Sequence, residues 1–287
     1  MKFGLIANMK RRGAKEAVQS FMNWAEKNKH VLILTDDLKD HFQNYTSFQN
    51  RSNISNEVDV LVTMGGDGTL LSSARAVGSS GIPILGINLG SLGFLTQLTP
   101  QQLQPALDAI IKGDYNIEKR MVLKAESEGL EKVESPYALN DIVIDNGPVS
   151  RLIDINLSVN DENIVTYKAD GLIIATPTGS TAYSLAVGGP ILHPKMEAII
   201  ASPISCFSLN TRPMIFSPND KLEIKVVSDD HQAGITIDGQ VNLPLVNTSG
   251  VVITKADFQT NFIVFPENTF YKVLRNKLHW GFPPSNS

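Results

Sequence analysis

The sequence has little cysteine and no excess of positive charge. Its single cysteine, Cys206, cannot form an intramolecular disulfide or a Cys-x-x-Cys metal site, which is typical of proteins in a reducing compartment. With 25 Lys and Arg against 29 Asp and Glu, the net charge of −4 is unlike that of nucleic-acid-binding domains. No apolar run approaches the roughly 18 residues that span a bilayer. We therefore expect a cytoplasmic protein that binds neither nucleic acid nor membrane.

Strand and helix patterns alternate in the first 120 residues. Apolar runs at 31–34, 58–64 and 83–88 predict strands, and apolar residues at helical spacing predict helices between them. Thr99, Pro100 and Gln102 form a capping box, which predicts a helix reaching about Lys112. This alternation indicates an α/β domain over residues 1–120, with helices on both faces of a parallel sheet in three layers.

From residue 121 onward the pattern changes to short strands separated by turn residues. Asn160 to Asn163 separates two alternating runs and predicts a hairpin turn. We expect a mostly β domain over residues 121–255. In the segment 256–287, Phe270, Val273, Leu274 and Leu278 have helical spacing, and we expect this segment to pack back on the first domain. Strands of the second domain are predicted at 121–126, 138–145, 152–159, 164–168, 172–175, 222–227 and 234–237.

A glycine-rich segment follows the apolar strand at 58–64. Gly65, Gly66, Gly68 and Thr69 stand where a strand meets a helix, so their amides and the helix N-terminus favour a phosphate site. The alternative is a plain strand-to-helix turn with Asp67 as a cap. A carboxylate among phosphate-binding amides is electrostatically unfavourable unless it holds a metal or accepts a proton, and both roles occur in phosphoryl transfer.

A second polar cluster lies at 176–184. Its Thr and Ser residues supply hydroxyls, and Tyr183 offers a ring on which an adenine could stack, although a hydroxyl-rich turn is also typical of a solvated loop. Lys168 and Asp170 occupy alternate positions before the strand at 172–175 and can share a face, where a surface ion pair is the alternative.

Several of these segments resemble known kinase signatures. The chain lacks the spacing of a Walker A motif and has no HRD and DFG pair. Its GGDGT at 65–69 resembles the signature shared by NAD kinases, diacylglycerol and sphingoid lipid kinases and, more distantly, phosphofructokinases. Further segments resemble the NAD kinase family in particular: NLGSLGFLT at 88–96, ALND at 138–141, DGLIIATPTGSTAYS at 170–184, IDGQ at 237–240 and KLHW at 277–280.

This resemblance implies an NAD kinase in which Asp67 is the general base and the 2′-hydroxyl of the adenosine ribose is phosphorylated to give NADP. The donor is ATP with Mg²⁺ or another divalent cation, or polyphosphate, and no tightly bound prosthetic group is expected. A homodimer or homotetramer is implied as well. The residues that the resemblance assigns to NAD are Asp67, Gly68, Asn140, Asp141, Arg151, Lys168, Asp170, Thr181, Ala182, Tyr183, Ser184, Leu185, Ala186 and Gln240.

Two departures from the family pattern and two alternatives remain. Ala186 stands where many members carry a serine, and Ser72 occupies a position that is often basic. A lipid kinase of the same superfamily would share the glycine turn but need an apolar slot for the lipid. A dinucleotide sensor without catalysis would keep the fold, yet the presence of Asp67 disfavours it.

Overall fold

The computed structural model of the chain describes residues 1–90, 93–96, 98–128, 130, 135–147, 151–227, 233–245, 250–266 and 269–278. Ser91, Leu92, His279 and Trp280 of the motifs above lie outside these residues. The chain divides into two compact units, one formed by Met1–Lys119 with the segment from Thr260 onward, the other by Arg120–Gln259. No helix in the described ranges is long and apolar enough to cross a bilayer.

The first unit begins as an alternation of strands and helices. The capping box is present, since the side chain of Gln102 accepts the amide of Thr99 at 3.0 Å ahead of the third helix. The elements, in chain order, are β1 (Lys2–Ala7), α1 (Ala14–Lys27), β2 (Val31–Thr35), β3 (Phe48–Gln49), β4 (Val60–Gly65), α2 (Asp67–Val77), β5 (Ile84–Asn88) and α3 (Leu103–Lys112).

These five strands form a parallel sheet in the order β5-β4-β1-β2-β3. Leu85 and Ile87 of β5 pack in a buried cluster with side chains of α1 and α3, among them Phe21 and Leu107. Gly86 lies between them and faces the other way, because a Cβ added there would lie 2.7 Å from the side chain of Leu70 in α2. Helices therefore cover both faces, and the predicted three-layer α/β architecture is confirmed.

The second unit consists almost entirely of strands. The strand β6 begins just before the unit boundary, and the last strand continues past the other boundary at Thr260. The elements are β6 (Asn116–Glu126), β7 (Tyr137–Ala138), β8 (Asp141–Asp145), β9 (Ile153–Val159), β10 (Glu162–Ala169), β11 (Gly171–Ala175), α4 (Tyr183–Ala186), β12 (Ile199–Ile204), β13 (Met214–Phe216), β14 (Leu222–Val227), β15 (Gly234–Ile237), β16 (Val241–Pro244) and β17 (Val251–Val264).

Two antiparallel layers enclose the core of this unit. One contains the neighbours β10-β9-β14-β17, and the other has the order β13-β12-β11-β8-β15-β16. Inward side chains of both layers, such as Ile155 of β9 and Ile174 of β11, belong to one buried cluster. The prediction of a mostly β second domain is therefore confirmed. The chain then returns to the first unit, where Phe262 of β17 pairs in parallel with Ile84 and the helix α5 (Phe270–Leu278) follows.

The strand predictions for the second unit hold in part. The Asn160–Asp161 turn is confirmed, with both residues at positive φ as a two-residue hairpin requires. Four strands of this unit were not predicted, namely β12, β13, β16 and β17. In β12, Pro203 argues against a strand. The structure tolerates this proline because β13 pairs only with residues 199–201 of β12, which leaves Pro203 on an open edge. The strand predicted at 138–145 is interrupted at Leu139 and Asn140.

Candidate active site

The glycine-rich segment forms the turn between β4 and α2. Gly65 ends β4, Gly66 is the N-cap, and α2 begins at Asp67. Gly66 has an extended backbone with φ −122°, so the turn does not need a left-handed conformation. Glycine is required at position 65 for space, because a Cβ there would lie 2.2 Å from Oγ1 of Thr69.

Backbone donors at this turn are available to a ligand. The amides of Gly66 and Asp67 meet no acceptor within the described residues, as is normal for amides that precede the first hydrogen-bonded turn of a helix. They carry the partial positive charge of the helix N-terminus, which favours anions. Gly68 is exposed and Thr69 is half-buried beside them. The turn thus has the groups that a phosphate needs.

The carboxylate of Asp67 is held by the segment that follows β5. Its Oδ2 accepts the amide of Phe94 at 2.9 Å, and its Oδ1 accepts the amides of Leu95 and Thr96, each at 3.1 Å. The hydroxyl of Thr96 donates to Oδ1 at 3.1 Å as well. Gly93 makes this approach possible, since a Cβ there would lie 1.9 Å from Oδ1. The carboxylate is therefore fixed in place and remains half-buried.

A second carboxylate, Asp238, organises the turn before β8. Its oxygens accept the amides of Leu139 at 3.0 Å, Asn140 at 2.7 Å and Asp141 at 3.2 Å. These bonds explain why the predicted strand is interrupted there, because the amides turn toward a side chain instead of a neighbouring strand. Sequence reasoning missed Asp238. The available signal was the Asp238-Gly239 pair, both at positive φ, which is typical of a tight hairpin turn.

The hydroxyl-rich segment after β11 is tied to the same turn. The amide of Thr176 donates to the carbonyl of Asn140 at 2.9 Å, and its hydroxyl donates to the carbonyl of Leu139 at 2.6 Å. Ser180 is fully buried and donates to the carbonyl of Pro177 at 2.6 Å. Most hydroxyls of this segment therefore satisfy the protein's own backbone, which corrects the expectation that they face a ligand or solvent.

Comparisons with known proteins identify the family of the chain. Models of the ATP-NAD kinase N-terminal domain and the ATP-NAD kinase C-terminal domain match residues 3–115 and 139–265. The NAD kinase of Geobacter metallireducens is 38% identical over 286 residues, covering 98% of this chain and 99% of that protein. The NAD kinase of Heliobacterium modesticaldum is 44% identical over 227 residues, covering 78% of this chain and 80% of its own length.

The chain belongs to the NAD kinase family.

Solved structures support the same fold. Yeast NADH kinase in complex with NADH superposes with a TM-score of 0.90 at 24% identity, covering 100% of this chain and 90% of that one. An NAD kinase from Archaeoglobus fulgidus in complex with ATP gives a TM-score of 0.77 at 24% identity, covering 97% and 98%.

The segment that the NAD kinase resemblance assigns to adenosine differs in exposure from residue to residue. Thr181, Ala182 and Leu185 are half-buried, Ala186 is exposed, and Tyr183 is 46% exposed, so its ring is accessible for stacking. Ser184, by contrast, is fully buried, and its hydroxyl lies 3.0 Å from that of Ser202. Within the second unit, hydrogen bonds join Asp238 to the turn at Asn140 and Asp141, and they join the same turn to Thr176.

Four more residues that the NAD kinase pattern implies lie at strand ends. Lys168 is exposed near the end of β10, and Asp170 is half-buried directly before β11. The two side chains form no ion pair in the described structure, which disfavours the surface ion pair that we considered. Arg151 and Gln240 are exposed at the start of β9 and β16. The three backbone amides that donate to Asp238 belong to other residues, so these hydrogen bonds do not tie the four side chains to the turn. The assignment of the four residues to NAD stays a prediction.

Ser72, at a position that is often basic in the family, contacts a basic side chain from another segment. The guanidinium of Arg51 donates to the hydroxyl of Ser72 at 2.8 Å and to the carboxylate of Asp37 at 2.9 Å. A basic group therefore lies against α2 even though the NAD kinase position itself is a serine. It comes from the segment before β4.

Among the described residues of this NAD kinase, Asp141 has an unusual electrostatic environment. Burial and, to a smaller extent, the negative charge of Asp238 raise the pKa of its carboxyl from an ordinary value of 3.8 to about 7, against the lowering effect of a hydrogen bond from the backbone amide of Tyr183. Asp141 is only 5% exposed. The carboxyl of Asp141 is therefore partly protonated near neutral pH, which limits the repulsion between two buried acids.

Asp141→Asn is expected to flatten the pH dependence of stability. The raised pKa means that the folded wild type keeps a proton that the unfolded chain loses, so its stability falls as pH rises from about 4 to about 7. Because Asn cannot ionise, the variant should lack this loss, which amounts to roughly 4 kcal/mol at about 1.4 kcal/mol per pH unit. Urea unfolding of both proteins from pH 4 to pH 8 measures the difference. Parallel stability curves would contradict the assignment.

Proposed function

We propose that the chain transfers the γ-phosphate of ATP to the 2′-hydroxyl of the adenosine ribose of NAD, giving NADP. The observation that carries the proposal is the position of Asp67. Its carboxylate stands at the first residue of α2, beside amides suited to a phosphate, and four hydrogen bonds fix it there. A fixed acceptor beside an anion site is what transfer to a hydroxyl requires.

The phosphate chain of ATP binds the turn formed by Gly65, Gly66, Gly68 and Thr69. Support comes from the amides of Gly66 and Asp67, which meet no acceptor within the described residues. In a site that excludes water, such amides stabilise the charge that builds up on the transferred group without having to reorganise. Because Gly65 has no side chain, Thr69 packs directly against the backbone of the turn, and this contact holds the amides in place during transfer.

Asp67 accepts the proton of the ribose hydroxyl through Oδ2. Oδ1 receives three hydrogen bonds, but Oδ2 receives one, from the amide of Phe94, and a carboxylate oxygen has room for a second. A hydroxyl that donates to Oδ2 becomes a better nucleophile as its proton moves to the carboxylate. Gly68, one residue on, is exposed and lies beside the same acceptor hydroxyl.

The second unit supplies contacts to the dinucleotide. Tyr183 offers an accessible ring to adenine, and Thr181, Ala182, Leu185 and Ala186 offer accessible atoms around it. Asn140, half-buried in the turn held by Asp238, presents its amide to the ribose, with Asp141 behind it. Ser184 supports this segment through Ser202 and makes no direct contact of its own. Arg151, Lys168, Asp170 and Gln240 complete the dinucleotide contacts.

A divalent cation enters with the donor as Mg-ATP. Within the described residues no group of three or more His, Cys, Asp or Glu side chains lies close enough to hold a resident ion. Mg²⁺ binds phosphate oxygens and needs one or two protein carboxylates at most, so the triphosphate itself is its main ligand. The ion neutralises phosphate charge, while the chain's own groups orient the nucleotide and the hydroxyl.

A panel of donors and acceptors tests the proposed function. The purified chain is incubated with ATP or polyphosphate as donor, and with NAD, NADH or a diacylglycerol as acceptor. We expect NADP from ATP and NAD and no phosphorylated lipid. Lipid phosphorylation without NADP would favour the lipid kinase alternative and overturn the proposal. The polyphosphate and NADH arms define the donor and acceptor range of the same site.

A further inference from the structure

The loop between β1 and α1 places a basic side chain beside the glycine turn. The loop continues β1, since the amide of Asn8 donates to the carbonyl of Met64 in β4 at 2.9 Å. The side chain of Asn8 then accepts the amide of Lys10, and its carbonyl accepts the amide of Arg11, each at 3.1 Å. The backbone of Arg11 is therefore held by a short hydrogen-bonded turn, which fixes where its side chain starts.

The guanidinium of Arg11 extends across two glycines. A Cβ built on Gly66 would lie 3.6 Å from Nη2, and a Cβ built on Gly90 would lie 3.8 Å from Nη1. Gly66 follows β4 and Gly90 follows β5, so one planar group spans the ends of two strands. Apart from the chain neighbours of Gly66, no other described atom comes within 4 Å of that Cβ position. Because neither position carries a side chain, the guanidinium lies close to the backbone of the turn with no side chain of these two residues between them.

Arg11 is exposed, and its guanidinium meets no hydrogen-bond acceptor or carboxylate among the described residues. Two other arginines, Arg212 and Arg51, differ in this respect. Arg212 donates to the carbonyls of Leu209 and Thr211, and Arg51 pairs with Asp37. A guanidinium that stabilises the fold normally meets such partners. Arg11 is thus placed beside the phosphate turn with its donors unused.

The sheet topology supports a ligand role for this loop. In the order β5-β4-β1-β2-β3, the strands that follow β1 in sequence are added on one side of it, as β2 and β3. The chain then returns to the other side of β1 with β4 and continues outward to β5. Ligands of open parallel sheets bind at such a switch point, beyond the carboxyl ends of the strands. The two loops that leave this point are the one with Arg11 and the one with Gly65 to Asp67.

We propose that Arg11 binds the phosphate chain of the donor, opposite the amides of Gly66 and Asp67. The proposal rests on the proposed function, because it assigns the donor phosphates to the glycine turn. A guanidinium binds phosphate oxygens through two parallel N–H donors, which a lysine ammonium cannot reproduce. Arg11 therefore sets the affinity for the triphosphate and does not touch the acceptor hydroxyl.

Substitution of Arg11 tests this role, with Arg12 as the matched control. Arg12 is the next residue, is also exposed and carries the same charge. The dissociation constant of Mg-ATP is measured by calorimetry without NAD, and KM values for ATP and NAD are measured separately. For Arg11→Ala we expect both ATP constants to rise at least about tenfold, with an intermediate rise for Arg11→Lys. Arg12→Ala should stay within about twofold, and KM for NAD should not change.

Two results would overturn the role of Arg11. Equal weakening by Arg11→Ala and Arg12→Ala would indicate only the diffuse charge of the loop. Unchanged ATP constants with a lower kcat or a higher KM for NAD would place Arg11 elsewhere in the reaction. A failure of the proposed function can be told apart from a failure of this role. In the first case the wild type itself forms no NADP, but its affinity for ATP, and the effect of Arg11→Ala on that affinity, are still measured.

Discussion

Asp67→Asn is expected to lower kcat for NADP formation by at least about 100-fold while KM for NAD stays within a few-fold. General base catalysis contributes about 10² to 10⁴ in rate, and an amide cannot accept the proton of the ribose hydroxyl. The asparagine oxygen can still accept the amides of Leu95 and Thr96, so the segment after β5 stays anchored. Initial rates with saturating ATP and NAD measure the effect.

Thr96→Val is the control for that experiment. It removes the hydroxyl that donates to Asp67 Oδ1 and accepts from Nδ2 of Asn88 at 2.7 Å, but it keeps the carboxylate of Asp67 and the backbone amides that hold it. If Asp67 acts as a base, this variant retains most of its turnover. An Asp67→Asn enzyme with near wild-type kcat, or equal losses in the two variants, would show that Asp67 serves only to anchor the segment.

Asp238→Ala is expected to raise KM for NAD at least about tenfold and to lower the free energy of unfolding by roughly 3–5 kcal/mol. Three backbone amides lose their charged acceptor, and each such hydrogen bond contributes about 1.5–3 kcal/mol with incomplete additivity. The turn that carries Asn140 then loses its shape. KM for ATP should change little, because the donor binds the first unit. Steady-state kinetics and urea unfolding give both quantities.

Asp220→Ala provides a matched control for Asp238. Asp220 also accepts a backbone amide, from Ser217 at 2.9 Å, and it lies in the second unit but in a turn without assigned contacts to NAD. We expect it to reduce stability modestly without changing KM for NAD. A similar rise in KM in both variants would indicate general loosening of the unit. An unchanged KM for NAD after Asp238→Ala would show that Asp238 does not shape the NAD site.

The parts of the fold that local patterns specify were predictable. The strand and helix alternation of the first unit, the Asn160–Asp161 hairpin and the helix Phe270–Leu278 depend on residues a few positions apart, so spacing and turn chemistry suffice. The strand β17 was not predicted, since its residues change from the antiparallel layer of one unit to the parallel sheet of the other. Its pattern of burial therefore follows no single period.

The candidate site depends more on contacts between distant residues. The pairing of Asp238 with Asn140 joins residues 98 positions apart, and that of Asp67 with Thr96 joins residues 29 positions apart. No periodicity reports such contacts. The motif resemblance found Asp67 and Asn140, but it assigned no role to Asp238 or Arg11. The residue types at 176–184 indicated hydroxyls open to a ligand or to solvent, whereas Thr176 and Ser180 are buried and bonded to backbone.

Catalysis by this chain is tested most directly by identifying the product of one incubation. The purified protein is mixed with Mg-ATP and NAD, and the dinucleotide is recovered and analysed by phosphorus magnetic resonance and mass spectrometry. We expect a dinucleotide that carries one added phosphate on the 2′-oxygen of the adenosine ribose, with one ADP formed for each. Tight binding of NAD with no phosphorylated dinucleotide would contradict this expectation and would indicate a dinucleotide sensor.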